Sequence, residues 1–199
     1  SVTADVPAAG KRDRDIRNQL AVPFRITPEV ALGLLAHPRW SLETLLHGKP
    51  NIANYADLLQ SATSYAEVQK TLITPAFDWE ALQRLRDRWG GKLLVKGILH
   101  PDDALRCAGT GCDGIVVSNH GGRQVAFGPA TADVLPGIAK AVAGRMKVIV
   151  DSGIRRGADL MRAKALGADF ALTGRALAFG VGAGGAHGAA RAVEILELE

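Results

Sequence analysis

Four short runs of aliphatic and β-branched residues, repeated along the second half of the chain, constrain the fold more than any other feature. They are too uniformly apolar for a sheet with one face in water, so they predict strands buried on both faces. Successive runs end 22, 33 and 22 residues apart, which leaves room for a helix between parallel neighbours and implies right-handed crossovers. The runs are Leu93–Lys96, Gly114–Ser118, Val148–Asp151 and Phe170–Thr173.

Each of these runs ends in a polar residue. In α/β barrels and doubly wound sheets, the chemistry lies at the carboxyl ends of the parallel strands. The sequence therefore predicts an α/β protein with a functional site at that edge of the sheet. The polar residues are Lys96, Ser118, Asp151 and Thr173.

Helical patterns separate the predicted strands. Residues 101–109, 131–143 and 157–167 each end at or just before a glycine, which is typical of helix ends. Pro136 is expected to kink or split the middle helix, because proline has no backbone N–H to donate. Upstream, residues 78–89 have the apolar period of an amphipathic helix, whose buried face would be Trp79, Leu82, Leu85 and Trp89.

Two segments outside this repeat are harder to assign. Residues 2–7 have the pattern of the end of a fifth strand, so we expect the chain to be the later portion of a larger protein. Residues 21–57 mix four prolines with apolar stretches and predict a long excursion with short helices. Such segments serve as lids, membrane contacts or mobile connections.

Composition excludes several classes of protein. The hydrophobic fraction of 47% is too high for a disordered chain, and the net charge of +4 is spread without a run of Lys or Arg, so no nucleic-acid partner is expected. Cys107 and Cys112 form no disulfide framework, and no His or Cys cluster has zinc-ligand spacing, so no metal is predicted. The absence of a secretory signal pattern and of any membrane-spanning stretch predicts a cytoplasmic location.

The segment 118–124, SNHGGRQ, directly follows a predicted buried strand. A histidine there suits proton transfer, because imidazole titrates near neutral pH. The two glycines permit a close backbone approach, and Arg123 offers a guanidinium fork for a carboxylate. A loop with incidental polar residues is the alternative, and the specificity of the seven-residue string disfavours it.

Two later strand ends favour an anion site. The segment 151–157, DSGIRRG, closes one strand and opens a helix, where backbone N–H groups and Arg155 would bind a phosphate. Residues 173–175, TGR, repeat this arrangement after the next strand. Either loop alone is equally consistent with ordinary turn chemistry, but two in succession favour phosphate.

Two charged residues also close apolar strands. Lys96 is expected to face solvent or an anionic partner, such as a cofactor, because an unpaired buried ammonium is costly. Asp5 would orient His120 from behind and stabilise its protonated form. That pairing is a hypothesis at this point.

Motifs along nearly the whole chain resemble, in order, the FMN-dependent α-hydroxy-acid oxidase and dehydrogenase family. The L-lactate and mandelate dehydrogenase branch is the most similar, because Ser152 stands where many members have glycine and a helix begins FDWEAL at residue 77. The resemblance implies a partial (β/α)8 TIM barrel in which residues 1–199 form strands 4 to 8 with their helices, and residues 21–57 form a lid. The matching segments are DVP at 5–7, residues 10–18, KGIL at 96–99, SNHGGRQ, DSGIRRG and TGR.

The resemblance also assigns roles by position. His120 would be the catalytic base with Asp5 as its partner, while Arg123 and Arg12 would clamp the substrate carboxylate. Lys96 would lie beside the N1/O2 edge of the flavin. The FMN contacts implied in this way are Thr3, Lys96, Ser118, Asp151, Gly153, Arg155, Gly174 and Arg175.

The implied reaction is oxidation of a small L-2-hydroxy acid, lactate- or mandelate-like, to the 2-oxo acid, by a hydride or a carbanion route. Oxygen, a quinone and a cytochrome remain open as electron acceptors. A homo-oligomer is expected because a partial barrel exposes strand edges, and residues 21–57 are a candidate contact with the inner face of the membrane.

Two alternatives to this enzyme remain. The first is a truncated barrel remnant that binds flavin or phosphate, or self-associates, without turnover. The second is another phosphate-binding barrel enzyme, such as an IMP-dehydrogenase-like protein, which is disfavoured because that class lacks SNHGGRQ.

Overall fold

The computed structural model describes residues 1–6, 13, 17–18, 26–48, 76–125 and 127–199. The chain divides into two compact units. One consists of Ser1–Gly10 with Pro75–Glu199, and the other of Lys11–Thr74. The expected role of residues 21–57 as a lid stays a prediction.

A parallel sheet of five strands organises the first unit. Its spatial order follows the chain order, with each strand hydrogen-bonded to the next. Doubly wound sheets reverse their strand order at a switch point, whereas this order continues in one direction, as in a barrel wall. The strands are β1 (Val2–Thr3), β2 (Leu94–Lys96), β3 (Gly114–Val117), β4 (Lys147–Val150) and β5 (Phe170–Ala171).

Helices follow the strands as the spacing predicts. Thr131–Val142 is one uninterrupted helix, so the split expected at Pro136 is wrong. Pro136, the sixth of the twelve helix residues, removes only one backbone donor, while Leu135, Ile138 and Val142 bury the same helix in the core. The helices are α1 (Pro28–Ala36), α2 (Pro38–His47), α3 (Trp79–Arg88), α4 (Pro101–Gly109), α5 (Thr131–Val142), α6 (Gly157–Ala165) and α7 (Arg175–Leu198).

The core lies between the sheet and the helices α3 to α6. The central strand β3 is buried at every position, as predicted. The outer strand β5 is not: the Phe170 side chain is 60% exposed, because β4 is its only neighbour among the described strands. The prediction that Trp89 belongs to the core is also wrong. Helix α3 ends at Arg88, and the indole N–H of Trp89 instead donates to the Lys92 carbonyl at 3.1 Å.

The amino ends of β2 and β4 are fixed by the same device. Asp113 accepts hydrogen bonds from Lys92 Nζ and from the Leu93 N–H, both at 2.8 Å, and these bonds lower the pKa of Asp113. Asp169 likewise accepts from Lys147 Nζ at 2.7 Å and from the Val148 N–H at 2.9 Å, and its pKa is also lowered. Both carboxylates therefore stabilise the fold in their charged form.

The two cysteines lie at the carboxyl end of α4. Both are buried, unbridged thiols, and the Cys112 N–H donates to the Cys107 carbonyl at 3.1 Å across Gly111, whose φ is +79°. This is the hydrogen bond of a Schellman helix end, which also packs these two side chains together. Burial raises the pKa of Cys107 to about 12 and also raises that of Cys112.

In the second unit, the described residues 26–48 form two short helices, α1 and α2. Thr27 caps α1 by accepting from the Val30 N–H. Neither α1 nor α2 contains a buried residue. Large apolar side chains on them and just before them are more than half exposed: Ile26, Leu32, Leu35, Trp40, Leu42, Leu45 and Leu46.

Candidate active site

The carboxyl ends of β1 to β4 bring four predicted polar residues together. The ladder pairs Thr3 with Lys96, and Val117 with Val150. The residues that follow each strand therefore reach the same edge of the sheet, as parallel register requires. Asp5, Lys96, Ser118 and Asp151 meet there.

Lys96 is the centre of this cluster. Its Nζ donates to Ser118 Oγ at 2.9 Å and lies 3.7 Å from a carboxylate oxygen of both Asp5 and Asp151. The side chains of Lys96, Asp5 and Asp151 are each no more than 20% exposed. The ammonium thus has the anionic partners that its position at the end of an apolar strand requires.

His120 contacts both Asp5 and Lys96. Its Nδ1 lies 3.2 Å from Asp5 Oδ1 and 3.4 Å from Lys96 Nζ. A carboxylate only accepts and an ammonium only donates, so Nδ1 either donates its proton to Asp5 or, when unprotonated, accepts from Lys96. We assign Nδ1–H to Asp5, because that contact is the shorter of the two. The neutral ring then carries its lone pair on Nε2.

Gly97 makes the approach of Asp5 possible. A Cβ at Gly97 would lie 2.5 Å from Asp5 Cβ, and the φ of this residue is +102°. Both the contact and the backbone conformation exclude an ordinary L-residue. Lys96 therefore supplies the cation, and Gly97 leaves the space that its partner Asp5 occupies.

The turn after Ser118 presents His120 and Arg123. Asn119 Oδ1 accepts from the Gly122 N–H at 3.1 Å, and Asn119 Nδ2 donates to the Pro129 carbonyl at 3.2 Å. The Arg123 N–H donates to the His120 carbonyl at 3.3 Å and closes the 3₁₀ turn His120–Gly122. The turn is thus braced by its own side chain.

A cleft of about 480 Å³ lies beside this cluster. Arg123, Arg155 and Arg175 line it together with Lys96 and His120. Gly153 and Gly174 also line it, and no atom lies within 4 Å of the position of a Cβ on either glycine. Exposed backbone between guanidinium groups suits an anion such as a phosphate.

The structure brings most of the predicted site residues to this edge of the sheet. Thr3 is exposed and pairs with Lys96 in the ladder, whereas Arg12 lies outside the described residues. Three residues of the site were missed by the sequence analysis: Asn119, Thr131 and the side chain of Ser152. Thr131 is buried, and its hydroxyl contacts the Asp151 and Ser152 carbonyls at 3.0 and 3.2 Å.

A family model described as FMN-dependent dehydrogenase matches residues 1–199, the whole chain. The chain belongs to this family. It is 42% identical to (S)-mandelate dehydrogenase from Pseudomonas putida over 100% of this chain and 50% of that protein. It is 40% identical to L-lactate dehydrogenase from Serratia proteamaculans over 99% of this chain and 53% of that protein.

Solved structures agree with the family assignment. A crystal structure of (S)-mandelate dehydrogenase, described as a monotopic membrane protein, matches with a TM-score of 0.92 and 39% identity over 98% of this chain and 52% of that chain. A mandelate oxidase matches with a TM-score of 0.70 and 31% identity over 99% of this chain and 47% of that chain.

These matches confirm the predicted partial TIM barrel and the FMN-dependent α-hydroxy-acid family. The chain spans about half the length of the curated relatives it matches. No helix in the described part of the chain is long and apolar enough to cross a membrane.

Proposed function

We propose that this chain supplies the base, a carboxylate clamp and the cofactor phosphate site for FMN-dependent oxidation of a small L-2-hydroxy acid, lactate- or mandelate-like, to the 2-oxo acid. The observation that carries this proposal is the Asp5–His120 contact at 3.2 Å, beside a cleft lined by three arginines. The names of the family's mandelate and L-lactate dehydrogenases support the substrate class.

His120 is the proposed base. With Nδ1–H donated to Asp5, Nε2 accepts the proton that leaves the substrate. Asp5 fixes the tautomer and stabilises the imidazolium that results, in the way a buried carboxylate acts behind a catalytic histidine. Lys96 prevents Asp5 from being an isolated buried charge.

Arg123 is the proposed clamp on the substrate carboxylate, together with Arg12. A guanidinium binds a carboxylate through two parallel hydrogen bonds and so fixes its orientation. Arg123 follows His120 by three residues and lines the same cleft. Base and clamp therefore act on one small molecule.

The same cleft fits FMN by the chemistry of its lining. Arg155 and Arg175, with the open backbone at Gly153 and Gly174, suit the phosphate, while Thr3, Ser118 and Asp151 are the proposed contacts to the flavin and its ribityl chain. Lys96 supplies a positive charge beside the flavin ring. When bound, FMN accepts two electrons from the substrate carbon.

Titration of the protein with FMN and anaerobic addition of L-lactate or L-mandelate test this proposal. We expect saturable flavin binding and bleaching of the flavin absorbance, whereas His120→Gln should bind flavin normally and slow bleaching by at least about 10²-fold. Normal bleaching in His120→Gln would remove the base assignment. Flavin binding without any bleaching would favour the alternative of a truncated barrel remnant without turnover. The exposed outer strand β5 is the structural feature consistent with that alternative.

We further propose that α1 and α2 contact a membrane surface and that the electron acceptor is then a lipid-soluble quinone. Both helices lack buried residues and expose leucines and Trp40, and a short amphiphilic helix with such a face enters the interface of a bilayer without crossing it. One solved relative is described as a monotopic membrane protein, which supports this assignment.

Flotation with vesicles of phosphatidylcholine and phosphatidylglycerol tests the membrane contact. Leu35→Asp with Leu45→Asp should abolish co-flotation, while Leu198→Asp, at a side chain that is also exposed, should float as the wild type does. Equal loss in both variants, or retention in both, would contradict the assignment. Size-exclusion chromatography in the same buffer tests the predicted homo-oligomer.

A further inference from the structure

Two residues of the site adopt a backbone conformation that favours glycine. His120 has a φ of +56° and Ser152 a φ of +71°. A third such residue, Ala143, is at the end of α5, where a left-handed residue is an ordinary helix cap. The other two lie in neighbouring loops that contact each other, which points to a shared cause.

Serine hydroxyls bind both peptide N–H groups that flank the His120 Cα. The His120 N–H donates to Ser118 Oγ at 3.1 Å, and the Gly121 N–H donates to Ser152 Oγ at 2.9 Å. With the peptides on both sides fixed, the φ and ψ angles of His120 are fixed as well. The left-handed conformation of His120 is therefore maintained from two sides.

Ser152 connects this backbone to the charged cluster. Its Oγ accepts from Gly121 and donates to Asp151 Oδ1 at 2.7 Å, while Asp151 Oδ2 lies 3.7 Å from Lys96 Nζ. The Ser152 carbonyl is itself held by Thr131. Glycine would adopt this φ more easily, as it does at Gly97 after Lys96, so the hydroxyl is what serine adds.

We propose that Ser152 is a positioning residue for the reaction, whose hydroxyl locks the His120–Gly121 peptide to Asp151 and thereby aims the imidazole at Asp5 and the cleft. The inference rests on the proposed function of His120. The Arg123 N–H also donates to this peptide, at the His120 carbonyl, but the turn that carries Arg123 keeps a second brace, from the Gly122 N–H to Asn119. Loss of the Ser152 hydroxyl should therefore affect proton transfer more than substrate binding.

The variants Ser152→Gly and Ser152→Ala test this role in the flavin-loaded protein. Both remove the hydroxyl, but only glycine also relieves the backbone strain, so a defect shared by both reports the hydroxyl. We expect kcat to fall by about 10- to 100-fold, as for a displaced catalytic group, with KM changed by less than about 3-fold. Thr110→Ala removes a hydroxyl bond of 3.0 Å on the exposed end of α4 and serves as the control.

Nitrogen-15 NMR of the His120 ring and hydrogen exchange of the Gly121 amide provide a readout that does not need turnover. In both Ser152 variants the Gly121 amide should exchange at least about 10-fold faster. The nitrogen-15 chemical shifts of the two ring nitrogens of His120 should also change. An unchanged kcat, or ring nitrogens and exchange like the wild type, would overturn the role of Ser152. If the wild-type protein gives no turnover, the proposed function fails, and the NMR comparison alone decides the positioning role.

Discussion

Substitution of Gly97 by alanine is the sharpest test of the site geometry. The added methyl would lie 2.5 Å from Asp5 Cβ and 2.7 Å from Asp5 Cγ, whereas carbon atoms in contact are separated by about 3.5–4.0 Å. Asp5 would therefore have to retreat by about 1 Å. Its 3.2 Å contact with His120 Nδ1 would then exceed about 4 Å, which is no longer a hydrogen bond.

Two costs determine the expected loss of stability. A φ of +102° is available to glycine but strains an L-residue by about 1–3 kcal/mol. The lost hydrogen bond to the Asp5 carboxylate contributes about 1.5–3 kcal/mol, and little of it is screened because the Asp5 side chain is only 12% exposed. The free energy of unfolding should fall by about 2–5 kcal/mol, because the two losses partly overlap.

Urea denaturation followed by tryptophan fluorescence measures this loss. With a slope of about 2 kcal/mol/M, the midpoint should fall by about 1–2.5 M. Gly109→Ala is the matched control, because no atom lies within 4 Å of its added methyl and the residue is helical; it should gain up to about 1 kcal/mol. A Gly97→Ala midpoint within about 0.2 M of the wild type, alongside a normal control, would refute the close approach of Asp5 and Gly97.

Three further outcomes follow from the structure. Arg123→Met should raise KM for L-2-hydroxy acids by about 10²-fold or more, measured by steady-state kinetics, with FMN affinity retained; an unchanged kcat/KM would remove Arg123 from the clamp. The lowered pKa values of Asp113, Asp159 and Asp169 give stability that is present above the unfolded value near 4 and lost as the pH falls through the lower folded values. Asp169→Asn should therefore flatten the decline of the thermal midpoint between about pH 5 and 2, and an equally steep decline would contradict this. Cys107 should resist iodoacetamide at pH 8 in the folded chain and react after unfolding, since burial raises its pKa to about 12; rapid labelling in the native state, measured by mass spectrometry, would show that the end of α4 opens.

The strand ends were predictable because they depend on local patterns. The pairing of Asp5 with His120, 115 residues apart, was a hypothesis that the family resemblance also implied. An apolar run with a terminal Lys96 indicates both a buried strand and a polar edge without knowledge of any partner. The error at Phe170 has the same origin, since apolarity indicates that a residue can be buried but not that a neighbour covers it. The prediction for Trp89 was wrong because the helical period of apolar residues does not reveal where the helix ends.

Ser152 and Thr131 could not be predicted because their contacts cross between loops. Ser152 binds Gly121, 31 residues earlier in the chain, and Thr131 binds the Asp151 carbonyl 20 residues later. No spacing rule links such pairs. The clue available in the sequence was a serine directly before Gly153 where the fold favours glycine, and its physical meaning emerged only with its φ and its two hydrogen bonds.

The ammonium of Lys96 ties together groups from four successive strand ends, β1 to β4. Chimeras between relatives should for this reason tolerate crossover points after β4 far better than between β1 and β4. A junction between β1 and β4 would combine Lys96 from one parent with the Asp5 or Asp151 region of the other. We therefore expect the exchange of a single βα unit within the block from β1 to β4 to disrupt the contacts of Lys96, and the segments from Asp5 to Asp151 to be exchangeable only together.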